Sequence, residues 1–208
     1  METKATPPSQ RDQATSLLRQ RGIARLSEFL ENGITATAVS RLERDGTIVR
    51  LSRGLYQLPD SPLHTHHALA EVSKLVPKGV ICLVSALAFH DLTDQVPSKV
   101  WIAIGKKDWR PRVSYPPLRI ARFPEHELNS GVEIHMIEGI SVRVFGVAKT
   151  LSDVFRYRRI VGINLAIEGL RAALKQRKVQ PADIAKQAMD AGVWKHMQPY
   201  LEALNFDG

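Results

Sequence analysis

Apolar residues recur at helical spacing at Ala14, Leu17 and Leu18, which predicts a helix over 13–21 ended by Gly22. Leu26, Phe29 and Leu30 share one face of a short helix over 24–30, and Asn32-Gly33 makes a turn. A third helix over 35–45 then buries Ala38, Val39 and Leu42, with Thr35 placed as its N-cap and Gly46 releasing the chain. Ile48, Val49 and Leu51, then Leu55, Tyr56 and Leu58, read as two short strands around Ser52-Arg53-Gly54. Pro59-Asp60-Ser61-Pro62 closes this unit.

After Pro62 the pattern changes. Ala68, Leu69, Val72, Leu75 and Val76 predict a helix over 65–76, broken at Pro77-Lys78-Gly79. Residues 79–84 read as a buried strand, and Ser85 as the cap of a short helix through His90. Strands follow over 99–104, where Val100, Ile102 and Ile104 alternate with Trp101 and Ala103, and over 118–123, 132–137 and 140–145. The last two meet in a hairpin at Glu138-Gly139, and from Val147 onward the period is helical. The expected fold class is α+β: a winged helix-turn-helix over 1–62, then a mixed α/β domain over 63–208 ending in a helical bundle.

Gly33 permits a positive φ between two steeply crossing helices, while Ile34, Ala36 and Ala38 let the second sit close against the first. One face of the second helix then remains free. Thr37, Ser40, Arg41 and Arg44 lie on it at three- and four-residue spacing, and such a face fits a DNA major groove. Arg41 can present its fork to guanine O6 and N7, and Thr37 or Ser40 can bond a base edge or a phosphate. Arg50 and Arg53, at the hairpin, would reach phosphates or the minor groove, whereas Tyr56 reads as core. The plainer alternative leaves Arg41 and Arg44 solvated beside Glu43 and Asp45; it gives no reason for a glycine turn before the helix and an arginine-tipped hairpin after it.

Composition narrows the classes. With 44% hydrophobic and 24% charged residues in 208, the chain is an ordinary globular sequence, so it is expected to fold. No apolar run reaches the roughly 18 residues of a membrane span, and residues 1–12 lack the apolar core of a secretory signal. The single cysteine, Cys82, excludes an intrachain disulfide and a four-cysteine zinc site, and a cytoplasmic address is expected. The net charge of +8 favours an anionic partner. Most of the excess lies beyond residue 60, densest at Lys99, Lys106, Lys107, Arg110, Arg112, Arg119 and Arg122, which face only Asp108 in the sequence.

Ile23-Ala24-Arg25-Leu26-Ser27-Glu28-Phe29, Gly33-Ile34, Val39-Ser40-Arg41-Leu42 and Gly46-Thr47-Ile48-Val49-Arg50-Leu51-Ser52-Arg53-Gly54-Leu55-Tyr56 resemble the winged helix of AbiEi-type antitoxins of type IV toxin-antitoxin systems. Residues 84–92, 100–104 and 147–155 resemble segments of that family's C-terminal domain, whereas 181–206 match nothing recognisable. The resemblance implies a non-enzymatic transcriptional autoregulator. Its winged helix would bind inverted repeats in its own promoter, and its C-terminal domain would oppose a nucleotidyltransferase-like toxin, without requiring a stable complex. Carried onto this chain, the DNA-binding positions are Thr35, Thr37, Ser40, Arg41 and Arg44, with Arg50, Ser52 and Arg53 in the wing.

Other chemistries have weaker support. His64, His66, His67 and His90 do not carry metal spacing, since adjacent His66 and His67 diverge by about 100° on a helix; no metal or cofactor is expected. Asp91 and Asp94, with Glu133 or Asp153, are the carboxylates a metal-dependent nuclease would need, the alternative function; Asp153 reads as a solvated charge or cap. A third alternative is a winged helix that binds only protein. Cys82 falls in a buried strand and reads as inert packing, so no catalytic residue is assigned. Lys106, Lys107, Arg110 and Arg112 interleave with Trp109, Tyr115 and prolines, which suits a loop lying along phosphates as well as a solvated surface loop.

Overall fold

In the computed structural model, which describes residues 8–61 and 65–206, helix α1 (Gln10–Arg21) starts earlier than its apolar spacing predicts. The extension has a local cause: Ser9 Oγ accepts the Asp12 N–H at 3.2 Å, and the Asp12 carboxylate accepts the Ser9 N–H at 3.3 Å. The helix expected over 24–30 divides. Ile23–Arg25 form strand β1, and only Leu26–Glu31 are helical, as α2. Gly22 sits between α1 and β1 at φ +67°, where a Cβ would meet the Glu138 carbonyl oxygen at 2.3 Å. Helix α3 (Ala36–Arg44), strand β2 (Val49–Ser52) and strand β3 (Leu55–Gln57) follow as expected.

Strand β1 pairs antiparallel with β3, Ile23 opposite Gln57 and Arg25 opposite Leu55, giving a three-stranded sheet in the order β1-β3-β2. Leu18, Phe29, Ile34, Val39, Leu42 and Ile48 fill the space between the three helices and this sheet. Tyr56 stands edge-on to Phe29 with ring centroids 5.8 Å apart, as a core residue. Each such buried side chain contributes about 1.5–3 kcal/mol, which is what holds α3 at a fixed angle under its exposed face.

The described chain forms two units: residues 1–74 with 136–141, and residues 75–135 with 142–208. The boundary expected at 62/63 falls outside the described residues. The first unit gains most of helix α4 (His67–Leu75) and a tight turn at Glu138-Gly139, where both residues have positive φ. Within it His67 Nδ1 lies 2.8 Å from Glu138 Oε2, and Lys74 Nζ lies 2.7 Å from Glu28 Oε1. Burial works against ionisation of Glu28, but Lys74, the Arg25 N–H and Arg21 outweigh it and hold that carboxyl below its usual range.

In the second unit the strand expected over 79–84 shortens to β4 (Val80–Ile81), and α5 (Leu83–Phe89) begins at once. A continuous apolar run serves a buried strand and a buried helix equally, which is why its spacing cannot locate the switch. Ser85 is therefore no cap; its hydroxyl accepts the Trp101 N–H at 2.9 Å. Strands β5 (Val100–Gly105), β6 (Leu118–Phe123), β7 (Val132–Ile137) and β8 (Ile140–Phe145) complete a mixed sheet in the order β6-β5-β4-β8-β7. β5 runs parallel to β6, Val100 opposite Leu118, and antiparallel to β4; it is buried on both faces rather than alternating, as an interior strand should be.

A short helix α6 (Glu125–Leu128), unmarked by any apolar period, joins β6 to β7. Helices α7 (Val147–Arg156), α8 (Arg158–Val161), α9 (Ile163–Lys175), α10 (Pro181–Asp190) and α11 (Trp194–Phe206) form the expected bundle. Their apolar faces share one core with the sheet, including Leu87, Phe123, Phe145, Leu151, Phe155, Leu170 and Met197. The architecture is thus α+β. Among the described residues no helix is long and apolar enough to cross a membrane.

Candidate nucleic-acid interface

Three anchors set the pose of α3. Ile34, Ala38, Val39 and Leu42 are buried beneath it. At its start Thr35 is extended and its Oγ1 accepts the Ala38 N–H at 3.2 Å, while the same hydroxyl lies 3.1 Å from Gln10 Oε1 of α1. Thr35 is exposed, and its hydroxyl both caps α3 and ties it to α1. At the other end Asp45 Oδ1 accepts both the Thr47 N–H, at 3.0 Å, and the Thr47 hydroxyl. Those hydrogen bonds, with Arg11 and Arg41 nearby, hold the Asp45 carboxyl below its usual range.

Opposite the buried stripe, Thr37, Ser40, Arg41 and Arg44 are all exposed on one face. Neither Arg41 nor Arg44 has a carboxylate oxygen within ion-pair distance among the described residues, although Glu43 and Asp45 are their sequence neighbours. Glu43 turns instead toward the wing, 3.9 Å from Arg50 Nη1. Arg41 and Arg44 thus carry no ion pair on the exposed face among the described residues, although Asp45 lies close enough to feel the charge of Arg41.

The wing is short. Gly54, at φ +75°, turns β2 into β3, and the pairing slips one position between Arg50 and Ser52. Arg53 is exposed at the tip; Arg50 is exposed but its Nε donates to the Ser52 carbonyl at 3.2 Å. Ser52 departs from the expected surface: its hydroxyl is enclosed and has no hydrogen-bond partner among the described residues, because the bulge turns it inward. The structure thus brings Thr37, Ser40, Arg41 and Arg44 together on one surface, with Thr35 exposed at the start of the same helix and the Ser52 hydroxyl enclosed.

The second unit places its candidate groups differently. Lys106, Lys107, Arg110 and Arg112 are exposed. Arg122, counted with them by charge, is instead a structural clamp: its Nη1 donates to the carbonyls of Gly105, Lys106 and Asp108 at 2.9–3.0 Å. Asp153 is not a solvated charge but fully buried, 3.1 Å from the equally enclosed Lys149 Nζ. Neither Asp153 oxygen has a well-aligned hydrogen-bond partner among the described residues. Burial pushes the Asp153 carboxyl up to about 6 despite Lys149, and burial with Asp153 beside it raises the Cys82 thiol. Cys82 is fully buried.

The other titratable groups are engaged locally. His90 Nε2 meets the Phe145 carbonyl at 2.8 Å, and burial lowers the affinity of its ring for a proton. Asp91 is exposed beside Lys178, 3.3 Å away. His64 lies outside the described residues, and the described residues hold no group of three or more His, Cys, Asp or Glu placed to bind a metal.

A buried glycine-turned helix pair, an outward helix carrying two unpaired arginines and a short arginine-tipped hairpin define a winged helix-turn-helix. Residues 12–59, which span it, match the family model described as "Transcriptional regulator, AbiEi antitoxin", the family its sequence resembles. No curated protein matches the chain. Among solved structures, the crystal structure of the RV2827C protein from Mycobacterium tuberculosis shares the fold at a TM-score of 0.59 and 13% identity, covering 94% of this chain and 81% of that one.

Proposed function

We propose that this protein is a DNA-binding transcriptional regulator of its own operon, acting through α3 in the major groove of inverted repeats, and an antitoxin to a nucleotidyltransferase-like toxin. The observation that carries the DNA-binding part is the exposed face of Thr37, Ser40, Arg41 and Arg44, whose two arginines have no ion-pair partner among the described residues. A guanidinium kept free of carboxylates keeps its whole hydrogen-bonding fork for a guanine edge. Arg50 and Arg53 supply phosphate contacts from the wing, which fix register without reading sequence. Thr35, through its hydroxyl, and Ser52, through its carbonyl, support the geometry of the helix and the wing. The antitoxin part rests on the family match over residues 12–59 and on the resemblance of the downstream segments.

The test is a mobility shift on labelled promoter DNA with and without Mg²⁺, paired with growth rescue against a co-expressed nucleotidyltransferase-like toxin. The protein should give a specific shift and no cleavage in Mg²⁺, and rescue should survive in Arg41→Ala/Arg44→Ala although the shift is lost. Cleavage that disappears in Asp91→Ala, or a shift indifferent to both arginines, would contradict it.

A further inference from the structure

The second unit contains a cleft of about 640 Å³ that the winged helix does not use. Lys99, Arg110 and Arg119 line it together with Trp101, and no Asp or Glu does among the described residues. Asp108, the only carboxylate between residues 95 and 124, is turned into its own loop, accepting the Gly105 N–H at 2.8 Å. Arg119 sits over Trp101, its guanidinium carbon 4.3 Å from the ring centroid, and the residue remains exposed. A guanidinium held over an indole and still exposed to solvent can take an unstacked base on its open side.

The approach to the cleft is built in the same sense. Arg122 clamps the 105–108 turn through three carbonyls, so the loop that follows leaves from a fixed base. Trp109 is 93% exposed next to the cleft residue Arg110, and Tyr115 is 64% exposed further along the loop. Large rings held in water gain nothing for the fold.

We propose that this cleft and its loop bind a single-stranded polynucleotide, Lys99 and Arg110 tracking its phosphates while Arg119 and Trp109 stack its bases. Duplex DNA, with its bases already stacked inside, cannot use those rings, which separates this site from the surface of α3. RNA and single-stranded DNA offer the same chemistry, and the structure selects the unpaired strand, not the sugar.

Fluorescence anisotropy of the full-length protein with labelled twelve-nucleotide oligo-uridylate and oligo-thymidylate tests the proposal, with a non-operator hairpin duplex for comparison. The wild type should bind one or both single strands more tightly than the duplex. Trp109→Ala, which removes a ring with no packing role, should weaken that binding about tenfold. Lys99→Glu/Arg110→Glu should weaken it at least as much and lower the slope of log affinity against log salt by about 0.7 for each phosphate no longer neutralised. Arg41→Ala/Arg44→Ala should leave it intact while abolishing operator binding, so the two sites fail separately. Equal affinity for strand and duplex in Arg41→Ala/Arg44→Ala, where α3 no longer holds the duplex, would overturn the proposal. So would oligonucleotide binding unchanged in both cleft variants, loss of it in Arg41→Ala/Arg44→Ala, or competition by uridine monophosphate as effective as that of the oligomer.

Discussion

At the scale of single residues, the charges that matter are those left without partners. Arg41 and Arg44 neighbour two acids in sequence, yet Glu43 turns toward Arg50 and Asp45 closes on Thr47, so the helix face stays cationic. That exposure was legible from spacing alone, because three- and four-residue steps fix a helical face once the opposite stripe is buried. The inward turn of Ser52 was not legible, since it depends on a one-residue slip in a hairpin of a few residues. Arg41→Ala should relax base preference at one position per half-site, costing about 1–3 kcal/mol on the operator and little on random DNA. Arg53→Ala should weaken both alike and lower the salt slope by about 0.9. Titrations of operator and scrambled duplexes across a salt series check both, and equal losses on the two duplexes for both variants would refute the division of roles.

At the scale of elements, caps and buried charges do what apolar periodicity does not announce. Thr35 joins the start of α3 to Gln10 of α1, so Thr35→Ala should lower the stability of the first unit by about 1 kcal/mol and weaken operator binding without altering base preference. A urea titration followed by circular dichroism, alongside the duplex titrations, measures both effects. Strand β1 escaped the sequence because Ile23-Ala24-Arg25 is too short for an alternation, and only its pairing with β3 shows it. Asp153 escaped for a related reason: one acid on an amphipathic helix looks solvated until the sheet and α5 cover it.

The Lys149–Asp153 pair has a measurable signature. Folding raises the Asp153 pKa from 3.8 to about 6, so the native state holds this proton more firmly than the unfolded chain. The group's contribution is then fully present below 3.8 and is lost as pH rises through about 6. All three tryptophans, Trp101, Trp109 and Trp194, lie in the second unit, so their fluorescence follows its unfolding. Urea midpoints of the wild type should fall, relative to those of Asp153→Asn, between pH 4 and pH 6; parallel profiles would contradict the burial. Lys149→Met alone should be destabilising, because it leaves the buried acid with only Arg156, whose Nη1 is 3.8 Å from Asp153 Oδ1, whereas Lys149→Met/Asp153→Leu should be near neutral.

At the scale of the whole molecule, the layout of a winged helix-turn-helix followed by an α/β sheet and a helical bundle could be read from the switch in apolar period near residue 62. The grouping of 136–141 with the first unit could not, because nothing local to Glu138-Gly139 records its closeness to Gly22. The basic stretch was visible as charge, but its sorting into a clamp at Arg122, a stacked Arg119 and a cleft cation at Arg110 required the folded chain. Two cationic surfaces with different geometry follow from one sequence: the exposed face of α3, and a cleft in the second unit lined by Lys99, Arg110 and Arg119.

Methylation interference at guanine N7 on the promoter fragment tests most directly whether α3 reads the major groove. The wild type should be blocked by methylation at one guanine in each half-site, and Arg41→Ala should bind more weakly and lose its sensitivity at that guanine alone. Binding indifferent to N7 methylation, or an identical interference pattern in Arg41→Ala, would show that this helix does not read the groove.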